Sequence, residues 1–260
     1  VPSLPLPPAP PSAANLRSHI SPLDFTADLQ SHGERFVEGT RQWVFDDIEA
    51  WRKDRDGSRC LVLLAGPGFG KTAIVARYVT GFYDRQHVLA LHLCFHNDTD
   101  KRDPIRMVKS LAFQITERVP EYKRVLTEEV LVGDALEALK KAIEKKEVNE
   151  VVDKLLIQPL AKIPEPAGVA QTGGRLLLVV DALDEAEHNM KNDLLECIAD
   201  DFAQKLPPWC ALLVTSRPEE SVRAALETLK PTVLDAEENE ERCRADAHMF
   251  LRSVLSPFPD

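Results

Sequence analysis

Residues 60–82 read CLVLLAGPGFGKTAIVARYVTGF, and the fold turns on this stretch. Cys60–Leu64 is a short apolar run, of the length of a buried strand. A small-residue turn follows, Ala65-Gly66-Pro67-Gly68-Phe69-Gly70, and then Lys71, Thr72 and Ala73. Beyond it Ile74, Val75, Tyr78, Val79 and Phe82 recur at helical spacing. Strand, glycine loop, Lys-Thr and helix, in that order, is the context a phosphate-binding loop requires. Glycines let backbone N–H groups turn toward phosphate oxygens at close range. The helix N-terminus adds a positive dipole end. Lys71 has the reach for the outer phosphates, and the Thr72 hydroxyl is a ligand type for Mg²⁺. Ala65 stands where the motif has its first glycine, a position that closes the turn and tolerates a small side chain. A chance glycine turn is the alternative, and the strand and helix on either side count against it.

The chain has 260 residues, 44% of them hydrophobic, enough for one or two domains with a sizeable core. A formal net charge of −10 argues against a nucleic-acid surface, which needs clustered Lys and Arg. No apolar run approaches the roughly 18 residues of a membrane span, and no signal peptide is visible. The start on Val1 sets the expectation of a fragment or a processed product. Cys60, Cys94, Cys197, Cys210 and Cys243 are scattered with no CxxC pair, the pattern of reduced thiols in a cytoplasmic protein rather than a metal or disulfide framework.

Residues 1–15 are dense in proline and are expected to be an extended, disordered linker. Residues 16–58 read as a helical lead-in and 59–260 as the core domain. In the lead-in, Trp43, Val44, Asp47, Ile48 and Trp51 share a helical face. The turn Glu38-Gly39-Thr40-Arg41 precedes that helix, and its place upstream of the first strand suits Thr40 and Arg41 for contact with a nucleotide base. An ordinary helix start with Thr40 as the cap is the alternative.

Four further apolar runs follow. Residues 88–95 (VLALHLCF) form a second buried strand, within which His92 reads as a core histidine. A polar burst follows it, so His96 and Asp98 border a crevice or lie in a solvated loop. Pro104 opens a helix, residues 121–163 hold two or three more, and the mixed charges of 140–153 mark a solvated face. Residues 175–185 read RLLLVVDALDE, a third strand with Asp181 at its end. An acid there suits Mg²⁺ bridging nucleotide oxygens. Asp184 or Glu185, one turn later, suits orienting or deprotonating a water, with helix N-terminal capping as the alternative. Residues 211–215 (ALLVT) form a fourth strand that ends in Ser216-Arg217-Pro218, placing Arg217 to sense a gamma-phosphate. Residues 232–234 are a short fifth strand, and 237–255 a last amphipathic helix with Cys243, Ala247, Phe250 and Leu251 on one face.

With these motifs in view, the chain resembles NACHT-type NTPase domains of the STAND class of signal-transducing ATPases, the group of the NLR-like proteins. The carriers are FVEGTRQWVFDDIEAW, AGPGFGKT, HNDTDKRDPIRMVKSLAFQI, LLIQPL, LLLVVDALDE and LLVTSRP, between about Phe36 and Leu255. Ala182 stands where many related ATPases place Glu, as is typical of NACHT domains. The resemblance implies an α/β P-loop NTPase fold: a three-layer α/β/α sandwich around a five-stranded parallel sheet of order 5-1-4-3-2. It also implies a switch that exchanges ADP for ATP, hydrolyses slowly, self-associates through this domain and drives effector and repeat domains outside this chain. On that pattern the chain stops before the winged-helix region that closes over the nucleotide.

The candidate site is then Gly66, Pro67, Gly68, Phe69, Gly70, Lys71, Thr72 and Ala73 around the phosphates, with Arg217, Thr40 and Arg41 on the nucleotide. Thr72 and Asp181 hold Mg²⁺, and Glu185, or Asp184, handles water. ATP or ADP is the expected ligand, with neither nucleic acid nor membrane as partner. Two alternatives are a non-hydrolysing scaffold with structural nucleotide, and a phosphotransferase. The latter lacks an Arg-rich acceptor lid.

Overall fold

Five parallel strands arise because five apolar runs are short enough to be strands and apolar enough to be covered on both faces. They are β1 (Cys60–Leu64), β2 (Val88–Leu93), β3 (Leu176–Asp181), β4 (Cys210–Ser216) and β5 (Thr232–Asp235). This computed structural model describes residues 13–82, 85–167, 169, 173–200 and 202–255. The sheet runs β2-β3-β4-β1-β5, which from the other edge reads 5-1-4-3-2, and every pairing is parallel. The chain is an α/β sandwich of the P-loop NTPase type.

Side chains alternate across the strands, so each strand feeds two cores. Val62, Leu64, Leu178, Val180, Leu212 and Val214 face one helical layer. Leu61, Leu63, Leu177, Val179, Ala211 and Leu213 face the other. The first layer is built on the helices Pro104–Thr116, Asp193–Ala199 and Glu220–Glu227, and the second on Thr26–Gly33, Gln42–Lys53 and Lys71–Arg77. β1, β3 and β4 are buried at every position, whereas the edge strand β5 is largely half-exposed. The lead-in segment packs into both cores: Leu16 and Ile20 join the first, and Phe25, Leu29, Val44, Phe45 and Ile48 the second. Residues 1–12 of the proline-dense stretch lie outside the described residues, and Ala13 already begins the helix Ala13–His19.

Several boundaries differ from the sequence reading for local reasons. β2 stops at Leu93; Cys94 N still donates to Asp181 O at 3.0 Å, and the chain then turns away. β4 gains Cys210 and Ser216, the latter paired with Leu64 at the end of β1. The last helix starts at Glu240, not 237, because Asp235 holds a turn ahead of it: its Oδ1 accepts from Glu237 N at 2.9 Å. The Gln42–Lys53 helix is rotated from the expected face. It buries Val44, Phe45, Ile48, Trp51, Glu49 and Arg52, and Asp47 instead pairs with Arg242 at 3.0 Å. The five cysteines are free thiols; burial pushes Cys60, Cys197 and Cys210 up to about 12, which keeps them protonated. His92 is fully buried, with Nε2 at 2.9 Å from Lys101 O, and burial takes its pKa down to about 4. Among the described residues no helix is long and apolar enough to cross a membrane.

Two buried arginines tie the layers to the sheet. Arg175 donates to Arg55 O, Gly57 O and Ser58 O, fastening the turn before β1 to the start of β3. Arg52 donates from Nε and Nη2 to Glu49 at 3.1 and 2.9 Å and from Nη1 to Arg175 O at 3.3 Å. Glu49 also accepts from the Tyr78 hydroxyl at 2.7 Å. Burial pushes the Glu49 carboxyl up, but the hydrogen bonds from Arg52 and Tyr78 outweigh it and hold the group below its ordinary value. Breaking one partner of such a buried pair costs roughly 3–5 kcal/mol, because the other charge is left uncompensated. Arg52→Ala should therefore lower the unfolding free energy by about that much in urea titration. Because the native Glu49 pKa is depressed, its contribution is present above the unfolded carboxylate range and is lost as pH falls through the native value. The deficit of Arg52→Ala should accordingly shrink in acid; a deficit under about 1 kcal/mol at neutral pH would mean that the pair is replaceable by water.

Candidate functional site

The strand ends converge because the registers align them. Leu64 sits opposite Ser216 and Asp235, and Val180 opposite Val214. The segments that leave these strand ends therefore meet on one edge of the sheet, the place where open parallel sheets hold ligands. A cleft of about 560 Å³ opens there, within the size range of small-molecule sites. Lys71, Thr72, Ala182, Asp184, Glu185 and Arg217 line one end, and His32, Arg35, Phe36, Val37 and Phe250 the other.

The glycine loop makes one wall. Gly68 (φ +79°) and Gly70 (φ +92°) are left-handed, a conformation that a side chain would strain. A Cβ built on Gly66, Gly68 or Gly70 would meet no atom within 4 Å, so the glycines face open space rather than packed neighbours. Gly70 is the N-cap of the helix Lys71–Arg77. Lys71 Nζ donates to Ala65 O at 2.8 Å and Gly66 O at 3.4 Å, curled back on its own loop. Burial lowers its pKa, and the nearby Asp184 and Asp181 oppose that.

The second wall is the DALDE segment. β4 lies between β1 and β3, so Asp181 is one strand removed from the glycine loop. Thr215 of β4 bridges the gap. Its hydroxyl donates to Asp181 Oδ1 at 2.5 Å and accepts from Ala182 N at 2.9 Å. Asp181 is buried, and its Oδ2 has no hydrogen-bond partner. Burial pushes its carboxyl up, against Thr215, Thr72 and Lys71, which draw it down. Ala182 is left-handed (φ 54°, ψ 48°), which starts the tight turn Leu183–Ala186 directly after the strand.

The two acids of that turn have different surroundings. Asp184 Oδ1 accepts from Arg217 N at 2.9 Å and Ser216 Oγ at 3.3 Å, and its Oδ2 lies 3.0 Å from Arg217 Nε. It fastens the β3 turn to the end of β4. Glu185 makes no such bond among the described residues; its Oε2 lies 3.8 Å from Nδ1 of the largely exposed His96 ring. Asp98 stays away from the cleft and caps the helix Thr99–Arg102.

Thr40 and Arg41 are both on the cleft wall, but Thr40 does not cap the following helix. Its hydroxyl donates to Val37 O at 2.7 Å, and the N-cap is the left-handed Arg41. Arg41 reaches Phe69 of the glycine loop, stacking over the ring at 4.3 Å and donating to Phe69 O at 3.3 Å. Three participants escaped the sequence reading: Thr215, Asp246 and the cleft-facing role of Phe250. The signal for Thr215 was a lone hydroxyl closing an apolar strand. For Asp246 it was an acid set among Cys243, Ala247 and Phe250 on one helical face.

Residues 39–217, more than half of the chain, match the family model described as Nephrocystin 3, N-terminal. The chain belongs to the nephrocystin 3 N-terminal family. No curated protein matches it. The family match opens beside Thr40 and closes on Arg217, so it spans all the residues singled out from the motifs, whereas Asp246 and Phe250 lie beyond it.

Asp181→Asn keeps an acceptor for Thr215 and removes a buried charge that has one oxygen unpaired. At neutral pH the nucleotide-free variant should be more stable than wild type by roughly 1 kcal/mol, read by urea unfolding. A carboxyl raised in the native state costs stability in full above its native pKa, and the cost fades as pH falls toward the unfolded value near 3.9. The gap should close between those limits. A variant less stable than wild type at pH 7 would show that the carboxylate is already fully compensated.

Proposed function

We propose that this chain is a nucleotide-binding module that takes Mg-ATP or Mg-ADP, hydrolyses ATP slowly and serves as the switch of a NACHT-type, STAND-class signalling protein. The observation that carries this reading is the buried, unpaired Asp181 Oδ2 beside Thr72 and Lys71. A buried acceptor without a partner costs stability, and a ligand that reaches it removes that cost. Among the described residues no cluster of three or more His, Cys, Asp or Glu side chains is disposed to hold a metal alone. That suits Mg²⁺, which keeps waters and leans on substrate phosphates rather than a protein cage.

Thr72 and Asp181 would hold the ion, which when bound neutralises charge on the outer phosphates. Gly66, Pro67, Gly68, Phe69, Gly70 and the amides of Lys71, Thr72 and Ala73 would cradle the phosphates. Lys71 would exchange the carbonyls of Ala65 and Gly66 for phosphate oxygens, a change from neutral to charge-assisted hydrogen bonds. Glu185, unpaired by hydrogen bonds and lining the cleft, is the acid placed to orient a water. Asp184 is the weaker candidate, since Arg217 and Ser216 occupy its oxygens. Thr40 and Arg41 would contact the base, with Phe36, Val37 and Phe250 of the same cleft supplying apolar surface.

The Asp184–Arg217 pair also favours a second reading, a nucleotide-stabilised scaffold without turnover. It engages the arginine that would otherwise be free for a gamma-phosphate. Nucleotide retention separates the two. Purified protein loaded with Mg-ATP and freed of excess ligand should accumulate bound ADP with time; ATP retained intact would favour the scaffold.

Two substitutions test the residue roles. Lys71→Ala should weaken Mg-ATP binding at least about tenfold by calorimetry, the loss of one charge-assisted hydrogen bond, with the fold retained by circular dichroism. Equal affinity in the two proteins would remove Lys71 from the site. Glu185→Gln should bind as wild type and turn over at least about a hundredfold more slowly. Unchanged turnover would move water handling to another group.

A further inference from the structure

The helix Glu240–Leu255 follows the last strand and lies outside the family match, yet it forms part of the cleft wall through Asp246, Ala247 and Phe250. Its attachment centres on one carboxylate. Asp246 is 4% exposed, and both its oxygens are used on the start of the Gln42–Lys53 helix, at its N-cap Arg41 and at Trp43. Oδ1 accepts from Arg41 N at 2.9 Å. Oδ2 accepts from Arg41 Nη1 at 2.8 Å and from Trp43 Nε1 at 2.9 Å. The bond to Arg41 N falls on a left-handed arginine (φ 59°), a backbone conformation that needs outside support. Around it, Arg242 pairs with Asp47 at 3.0 Å and lies over the Trp43 ring at 5.4 Å.

Arg41 is therefore gripped from two sides. Asp246 holds its backbone and one end of the guanidinium; Phe69 of the glycine loop takes the other end and the ring face. Its Nε is buried and has no hydrogen-bond partner, a donor left over on the wall of the cleft. The helix, the left-handed turn and the tip of the phosphate loop are thus joined through one side chain.

We propose that Asp246 is a positioning residue for the nucleotide site: by holding Arg41 against the phosphate-loop tip, it makes docking of the C-terminal helix and binding of nucleotide mutually stabilising. Asp246 acts this way only if the phosphate loop binds nucleotide, so the coupling rests on that reading of the cleft. Coupling of this kind is reciprocal. If loss of the helix contact weakens nucleotide binding by some factor, nucleotide strengthens the contact by the same factor.

The test is calorimetry of Mg-ADP on wild type, Asp246→Ala, Arg41→Ala and the double variant, together with hydrogen exchange of residues 240–255 with and without Mg-ADP. Each single variant should weaken binding about tenfold, and the double variant should be no weaker than the weaker single. Nucleotide should slow exchange in 240–255 of wild type and leave that segment unchanged in Asp246→Ala. Asp246→Asn keeps the acceptor for Arg41 N while removing the charge, and should lose about threefold; it carries the test if the alanine variant does not fold. Wild-type affinity in Asp246→Ala, with only its melting temperature lowered, would reduce Asp246 to a structural contact and overturn the proposal. Losses that multiply in the double variant would also overturn it. If wild type binds no Mg-ADP, the nucleotide-binding reading itself fails and the coupling falls with it. If wild type binds and Lys71→Ala does not, while Asp246→Ala matches wild type, the coupling alone fails.

Discussion

A single hydroxyl holds the working edge of the sheet together. Thr215 donates to Asp181 and accepts from the next backbone amide, Ala182 N, so it fixes both the carboxylate and the chain direction after β3. The left-handed Ala182 would cost about 1–2 kcal/mol in isolation. Here the Thr215 bond and the 2.8 Å bond from Glu185 N to Ala182 O offset it. The result is a turn too tight for the acids beyond it to point the same way. Asp184 is directed to β4 and Glu185 to the cleft. With a less constrained turn, the three carboxylates of DALDE would repel one another in one place. With this one they take three positions: buried on the sheet, paired with an arginine, and half-exposed on the cleft.

That separation explains why two acids one residue apart have such different chemistry. Asp184 exchanges solvent for Arg217 and Ser216, and so serves the backbone geometry of the β4 end. Glu185 keeps its oxygens free of hydrogen bonds and retains contact with water. The oxygens of the first are already engaged by Arg217 and Ser216, whereas those of the second face the cleft. The different surroundings of the two acids thus come from the backbone turn rather than from residue type.

The sheet was legible because its physics is local. A strand covered on both faces is largely apolar, and β1, β3 and β4 announce themselves through CLVLL, LLLVV and ALLVT. The glycine loop was legible for the same reason: Gly68 and Gly70 occupy conformations that few other residues accept. What the sequence did not disclose depends on distant partners. Arg52 and Arg175 look like surface charges until the fold supplies backbone carbonyls and Glu49 around them. Asp47 falls on an apolar helical face by periodicity but is drawn out by Arg242, nearly the whole chain away. Thr40 has the right type for a cap, yet Val37 O takes its hydroxyl and Arg41 becomes the cap. Each miss is a polar group whose partner apolar periodicity does not name, whether three residues away, as for Thr40 and Val37, or far along the chain, as for Asp47 and Arg242.

The same distinction bears on how the cleft is divided. One end is made of residues at or just beyond two strand ends, Gly66 to Thr72 and Asp181 to Glu185. Its other end is assembled from the turn before the Gln42–Lys53 helix and from a helix near the far end of the chain, joined by Asp246 and Arg41. The strand ends that carry the first are fixed by parallel pairing, Leu64 opposite Ser216 and Val180 opposite Val214. The assembled end depends on the Arg41–Asp246 and Arg242–Asp47 salt bridges, the Arg41 N and indole hydrogen bonds to Asp246, and a stacked guanidinium, none of which belongs to the strand pairing. The assembled end can therefore respond to a ligand independently of strand pairing, and there Phe250 and Leu251 stand about half exposed on a helix only partly covered by the domain.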